Sequence, residues 1–171
     1  MSLSDGDSET DDGETTGETG DREPAEALDD LFRRSWADLV RLATFLTGSV
    51  PTAEDLVQDT FLRFGSRSGP PPDDPTPYLR TSVVNACRSY HRRRLVEYRH
   101  RPGLPRPDID NPGELFDVLD RLTRRQRTAL VLRYYLDLPE DEIAATLRCR
   151  PSTVRSLILR GLTKMREELS P

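Results

Sequence analysis

The sequence contains few of the residues on which catalytic and metal chemistry depend. Its 171 residues include two cysteines, two histidines and one tryptophan. Cys87 and Cys149 stand 62 positions apart, and neither has a companion at the spacing of metal ligands, so we interpret both as reduced thiols that pack in the interior. No nucleophile stands out beside a candidate base. These absences predict a protein that is not an enzyme and that holds no metal or cofactor.

Long apolar runs are also missing. The chain is 32% charged, and no stretch approaches the roughly 20 apolar residues that a membrane-spanning helix requires. Residues 1–21 have neither the basic part nor the apolar part of a signal peptide. We therefore expect a cytoplasmic protein without a membrane span.

Strand-like alternation is absent as well, whereas helical spacing of apolar residues recurs along the chain. The pattern predicts an all-α fold, with two small helical domains joined by a Pro-rich linker and preceded by a disordered acidic tail. The expected boundaries are residues 1–24 for the tail, 25–96 for the first domain, 97–113 for the linker and 114–171 for the second domain.

Local signals predict details of the first domain. A helix is expected over residues 25–46, with Ser35 as a candidate break, and Thr52 is a candidate N-cap of the next helix. Five prolines in residues 65–77 predict a non-helical loop, which a long helix over residues 77–94 then follows.

The formal net charge of −5 hides an uneven distribution along the chain. Residues 1–24 carry a net charge of −8, whereas residues 78–106 and residues 121–166 each carry +7. Overall acidity therefore does not exclude a nucleic-acid partner, because two basic segments follow the acidic tail.

Residues 138–170 have the pattern of a helix–turn–helix. Pro139 and the acidic residues 140–142 suit the start of a first helix, and Pro151 suits the start of a second one. The second helix has an apolar back within roughly a 100° arc. Its front carries Thr153, Arg155, Ser156, Arg160, Thr163 and Lys164. A recognition helix in a DNA major groove requires this combination, although a surface helix of a bundle with solvated charges is the alternative.

The helix predicted over residues 77–94 has two distinct faces. Leu79, Val83, Ala86 and Tyr90 form the expected buried stripe, and the opposite face carries Tyr78, Thr81, Asn85, Arg88 and Arg92. The second face offers single-stranded nucleic acid what it requires, since bases stack on rings while the backbone follows positive charge. A solvated face whose Tyr78 packs on the Pro-rich loop fits the spacing equally well.

Four segments in this order resemble bacterial RNA polymerase sigma factors of the extracytoplasmic-function group. They are AEDLVQDTFLRF (53–64), PYLRTSVVNACRSYHRRR (77–94), LTRRQRTALVLRYYLDLPEDEIAATL (122–147) and TVRSLILRGLTKMR (153–166). The first two resemble sigma region 2 and the last two resemble sigma region 4. The resemblance implies a factor that directs core RNA polymerase to promoters and assists promoter opening.

The resemblance also implies roles for individual residues. Asp55, Gln58, Asp59 and Arg63 match the surface that docks on the polymerase clamp. Tyr78, Thr81, Asn85, Arg88 and Arg92 match the helix that holds the −10 element as a single strand, and Thr153, Arg155, Ser156 and Arg160 match the −35 reader. The implied partners are the clamp and flap of the large polymerase subunits, promoter DNA and, as a candidate, an anti-sigma factor.

The resemblance has departures, and two other functions stay open beside it. Relatives often have Trp where this chain has Tyr78, and Gly where it has Arg148 in the helix–turn–helix. The main alternative function is a stand-alone regulator that uses only the helix–turn–helix. A third is an interaction protein that sequesters a partner through its acidic tail. The face from Tyr78 to Arg92 argues against a regulator, which has no use for a single-strand surface.

Overall fold

The computed structural model describes residues 22–69, 72–100 and 113–169. The acidic segment 1–21 and the Pro-rich part of the predicted linker lie outside these ranges. Within them the chain forms seven α-helices and no strand, which confirms the all-α prediction. The helices are α1 (Arg22–Thr47), α2 (Val50–Gly65), α3 (Pro75–His100), α4 (Glu114–Asp120), α5 (Arg124–Tyr134), α6 (Glu140–Leu147) and α7 (Pro151–Leu169). None of the helices in these ranges is long and apolar enough to cross a membrane.

The first two helices differ from the sequence prediction at two points. α1 runs without a break through Ser35, because neighbouring apolar residues pack continuously on the same core and no proline interrupts them. α2 is capped by Ser49 and not by Thr52: the Ser49 hydroxyl accepts from the Thr52 backbone N–H at 3.4 Å. Pro51 occupies the first turn of α2, where its missing N–H costs nothing.

α3 is longer than predicted at both ends. It begins at Pro75 and so includes Pro77 in its first turn, where proline is compatible with a helix. Just before it, the Asp74 carboxylate accepts from the Thr76 backbone N–H at 2.9 Å, and this bond lowers the pKa of Asp74. At its other end α3 continues to His100, four residues into the predicted linker.

α3 is buried more widely than its predicted stripe. Leu79 and Val83 are fully buried as expected, but Val84 and Cys87 are also buried, whereas Ala86 and Tyr90 are only half-buried. The reason is that α3 packs against both α1 and α2, so its apolar arc is wider than one stripe. Burial raises the pKa of the Cys87 thiol to about 12, which agrees with a packing role.

The second domain contains the predicted helix–turn–helix as α6 and α7. Thr123 and Gln126 form a capping box at the start of α5. Pro139 is the N-cap of α6 and not its first residue, whereas Pro151 opens α7 as predicted. Between the two helices Arg148 adopts a left-handed conformation, with φ 50° and ψ 55°. This is the conformation for which glycine is favoured.

The two domains pack against each other, which the sequence did not predict. Buried side chains of α1–α3 and of α5–α7 form one continuous cluster. At the junction the Phe45 ring stacks on Phe116 with 5.5 Å between centroids and meets Tyr135 edge-on at 5.1 Å. Arg80 and Glu142 add an ion pair between α3 and α6 at 3.4 Å.

One carbonyl group joins three helices at this junction. The Leu46 carbonyl, in the last turn of α1, accepts from His91 Nε2 of α3 at 2.9 Å and from Arg127 of α5 at 3.4 Å. The buried Arg127 also donates to the Leu119 carbonyl at 2.7 Å and to the Asp120 carboxylate at 2.8 Å. The Leu46 carbonyl would otherwise lack a partner at the end of α1, and it is thereby hydrogen-bonded to a side chain of each domain.

A truncation test addresses the shared core. Leu42 is fully buried in α1, so Leu42→Ala should lower the free energy of unfolding by about 2–5 kcal/mol because it leaves a cavity. Leu62 of α2 is 65% exposed, and Leu62→Ala is the matched control, expected to change stability by about 0.5 kcal/mol or less. Urea denaturation followed by circular dichroism measures both, and equal losses would contradict the assignment of the core.

A pH test addresses His91. Burial lowers the pKa of His91, as do the neighbouring cations Arg124 and Arg127, against the raising effects of the Leu46 bond and Asp120. A histidine whose folded pKa is depressed stabilises the fold fully above its unfolded pKa of about 6.5. That contribution is lost as the pH falls below this value, because the unfolded chain binds the proton first. His91→Gln retains a donor for the Leu46 carbonyl without titrating.

The measurement is the free energy of unfolding from pH 8 to pH 5. The parent protein should lose stability below about pH 6.5 relative to His91→Gln. Superimposable pH profiles of the two proteins would show that His91 contributes nothing to the pH dependence.

Candidate nucleic-acid interface

The predicted single-strand face of α3 is a continuous surface in the structure. Tyr78 is 43% exposed, Thr81 and Asn85 are half-buried, and Arg88 and Arg92 are exposed. All five are on one helix, and none of them belongs to the core cluster. An aromatic ring, an amide and two guanidiniums therefore follow one another over about four helical turns.

The Tyr78 ring has one aromatic and one cationic neighbour. Its centroid lies 5.6 Å from that of Phe64, and the Arg67 guanidinium lies over it at 4.7 Å. Such a cation–π contact contributes roughly 0.5–1 kcal/mol at an exposed site. Arg67 is part of this surface and was not predicted, because it follows the end of α2 and so has no helical periodicity to mark it.

The predicted polymerase-docking residues lie on the side of α2 that faces away from the core. Asp55 and Gln58 are exposed, and Asp59 forms an ion pair with Arg63 at 2.6 Å. Asp59 and Arg63 also line a groove of about 290 Å³ between α2 and α3, together with Tyr78 and Asn85. The predicted docking residues and the predicted single-strand face are thus contiguous surfaces of one domain.

The predicted duplex-reading residues lie on α7. Arg155 and Arg160 are exposed, whereas Thr153 and Ser156 are half-buried. Arg155 pairs with Glu140 of α6 at 2.5 Å, and Arg160 donates to the Ser156 carbonyl at 3.1 Å. The opposite side is apolar, as predicted, with Val154 and Gly161 buried. A Cβ on Gly161 would approach Leu130 of α5 to 2.8 Å, so a glycine allows these helices to pack closely.

The arrangement is chemically suited to hold nucleic acid in two places. One domain offers a helix with ring and guanidinium groups, and the other offers a helix–turn–helix with a basic front. No cluster of three or more metal-binding side chains occurs among residues the structure describes. The fold and the site define a class of all-helical proteins with two domains, one of which carries a helix–turn–helix of the kind that binds DNA.

Comparisons with known families agree with this division. The model of Sigma-70 region 2 matches residues 31–95, and that of Sigma-70 region 4 matches residues 113–165. An RNA polymerase sigma-E factor of Streptomyces coelicolor is 32% identical over 140 residues, covering 77% of this chain and 79% of the relative. An ECF RNA polymerase sigma factor SigE of Mycolicibacterium smegmatis is 33% identical over 170 residues, covering 89% and 65% respectively.

A solved structure supports the fold. The sigma factor RpoE of Bartonella quintana, crystallised with the anti-sigma factor NepR, superposes with a TM-score of 0.74 at 22% identity. The match covers 84% of this chain and 97% of that one. The chain belongs to the sigma-70 family, in its extracytoplasmic-function group. It is a sigma factor of transcription initiation, as predicted.

Proposed function

We propose that the two modules divide promoter recognition between them. The face from Tyr78 to Arg92 holds the −10 element as a single strand, and α7 reads the −35 element as a duplex through Thr153, Arg155, Ser156 and Arg160. The observation that carries the proposal is the line of an exposed ring, a half-buried amide and two exposed guanidiniums on α3, in a different domain from the helix–turn–helix.

The chemistry of α3 favours an unpaired strand. A base can stack on the exposed part of the Tyr78 ring, and the half-buried Asn85 amide can meet a base edge. Arg88 and Arg92 follow at a spacing of four residues, so they lie on the same side of the helix. They can bind successive phosphates of the same strand.

The geometry of α7 favours duplex DNA. Its N-terminal turns carry the polar and basic front, and residues near the start of a recognition helix reach base edges in a major groove. The ion pair between Arg155 and Glu140 holds one guanidinium in place before DNA binds. On binding, this guanidinium exchanges the carboxylate for a phosphate or a base edge. Leu159, which is 68% exposed, adds an apolar group to this side of α7.

Docking on core RNA polymerase is assigned to α2. Asp55, Gln58, Asp59 and Arg63 present acidic, amide and basic groups without forming part of the core, which suits a polar interface with the polymerase clamp. The second domain binds the flap of the large polymerase subunits. The factor acts in the cytoplasm, makes and breaks no bond with its own side chains, and an anti-sigma factor is a candidate further partner.

Promoter binding requires the two domains to separate. The −10 and −35 elements are about 25 base pairs apart, or about 85 Å along the duplex at 3.4 Å per base pair. In the structure Arg127 of the second domain bonds directly to Leu46 of the first. The packed arrangement cannot contact both elements, so polymerase must hold the domains apart at the expense of the junction.

The first test concerns dependence on polymerase. Each module is small and one needs DNA that is already open, so the protein alone should bind promoter fragments weakly, with affinity that falls steeply with salt. Adding core polymerase should give promoter-specific open complexes and run-off transcripts. Tight, specific binding to duplex DNA by the protein alone would favour the stand-alone regulator instead.

The second test separates the two faces. Replacing Arg88 and Arg92 by Glu should leave recruitment to the duplex largely intact but abolish permanganate reactivity of promoter thymines, because the melted strand is no longer held. Replacing Arg155 and Arg160 by Glu should abolish recruitment to promoters that depend on a −35 element. For every phosphate that the protein no longer neutralises, the slope of log affinity against log salt should fall by about 1.

Premelted templates and a third variant provide the controls. A premelted promoter should restore transcription to the Arg88 and Arg92 variant more than to the Arg155 and Arg160 variant. Arg33→Glu, on α1 outside both faces, should behave as the parent protein. The division of labour would be wrong if both double variants lost duplex binding alike and premelted DNA rescued neither.

A further inference from the structure

A groove between the two domains is lined by five arginines. It has a volume of about 680 Å³ and lies where the second half of α3 faces α5 and the turn after α6. Its guanidinium groups come from Arg88, Arg92, Arg124, Arg125 and Arg148, and its other lining residues are Asn85, Ser89, Leu95, Thr128 and Leu147. We call this feature the arginine groove. Both domains contribute to it, so it exists only while they are packed together.

The arginine groove is lined by no carboxylate from the residues that the structure describes. None of its five arginines forms an ion pair within that part of the chain. Elsewhere in the same part, seven arginines pair with Asp or Glu, including Arg63, Arg80 and Arg155. Five guanidiniums around one opening repel each other, and an anion placed there would relieve the repulsion. The arrangement therefore fits a flexible polyanion better than a single small ion.

We propose that the N-terminal acidic segment, residues 1–21, occupies the arginine groove in the free protein. The segment contains eight acidic residues and no basic residue. Its charge is opposite to that of the groove and larger than the five arginines require. Because it belongs to the same chain, it competes at a high effective concentration with any anion in solution.

The length of the segment allows it to reach the groove. α1 begins at Arg22 and spans about 39 Å over its 26 residues at 1.5 Å each. The groove lies near the far end of α1, because His91, beside Arg92 on α3, bonds to Leu46 there. An extended chain covers about 39 Å in roughly 12 residues. About nine of the 21 residues then remain, so Asp5, Asp7 and Glu9 are the carboxylates that we expect at the groove.

Occupation of the groove would bring one acidic segment into contact with arginines of both domains. The segment neutralises arginines from both domains at once, so it stabilises the packed arrangement over the separated one. It also covers Arg88 and Arg92 in the free protein. Occupation of the groove depends on its charge and on the length of the segment, and contact of these two arginines with the −10 strand is not needed for it.

Carbodiimide cross-linking of the full-length protein tests the placement directly. The chain has a single lysine, Lys164, so Arg125→Lys introduces one amine at the groove that can form an amide with a nearby carboxylate. Mass spectrometry should find cross-links from position 125 to Asp5, Asp7 or Glu9 in preference to Asp21. They should weaken as salt is raised, because the attraction is ionic.

A matched lysine outside the groove is the control. Arg160→Lys places an amine on the exposed front of α7, which does not line the groove. Cross-links from position 125 at least about five times as abundant as those from position 160 support the proposal. Equal yields at the two positions would overturn the proposal, because they would show diffuse attraction only. The absence of any cross-link between position 125 and the segment would overturn it as well.

A second measurement asks whether nucleic acid is the occupant instead. In the full-length protein the eight carboxylates of residues 1–21 are replaced by Asn and Gln, and binding of a dT20 oligonucleotide is measured from low to high salt. The neutralised protein should bind about tenfold more tightly at low salt, with a difference that fades as salt rises. Unchanged affinity would mean that the segment does not occupy the groove and that nucleic acid meets it unopposed. Promoter-specific transcription by the same protein tests the sigma function separately.

Discussion

The packing of the two domains depends on which groups donate hydrogen bonds to the carbonyls at the end of α1. A helix leaves its last carbonyls without partners, and in α1 the Leu46 carbonyl lies in the interior, where an unbonded polar group is costly. His91 of α3 and Arg127 of α5 both bond to it. Arg127 is itself buried and can lie there because the Leu119 carbonyl and the Asp120 carboxylate also accept hydrogen bonds from it. Removing one of these groups would leave the others with unsatisfied charge or hydrogen bonds, so the junction is cooperative.

This junction opposes separation of the two domains. The packed domains bury one continuous core, whereas the proposed binding of promoter elements about 85 Å apart needs the two domains to be separated. Under that proposal the packed form and the promoter-bound form are alternatives, and any contact that holds the domains together reduces the population that can bind a promoter. In the packed form the arginines of the groove face each other, and under our proposals Arg88 and Arg92 become free to meet DNA only when the domains separate.

Departures from the usual family pattern have local physical consequences. Arg148 stands where the family resemblance leads us to expect glycine, and it takes a left-handed conformation, which costs roughly 1–2 kcal/mol for a residue with a Cβ. In return it adds a guanidinium to the groove. Tyr78 offers less stacking area than the tryptophan that the family resemblance leads us to expect, and Arg67 and Phe64 extend that surface.

The sequence alone determined the helical class, the helix–turn–helix and the family, because each depends on signals that are local in the chain. Apolar residues at helical spacing indicated the helices, a proline marked the start of α7, and motifs in a fixed order indicated the family. It also separated the core of α3 from its polar face, although it missed Val84 and Cys87, because their burial depends on two helices packing on α3 from different sides. The break at Ser35 and the cap at Thr52 were wrong because local signals for breaks and caps are weaker than continuous packing and a better-placed hydroxyl. Only the tertiary structure decided that the domains share a core, that Arg127 and His91 meet at Leu46, and that arginines from distant segments line one groove. These contacts join residues up to 81 positions apart, and no periodicity within either segment records such a pairing.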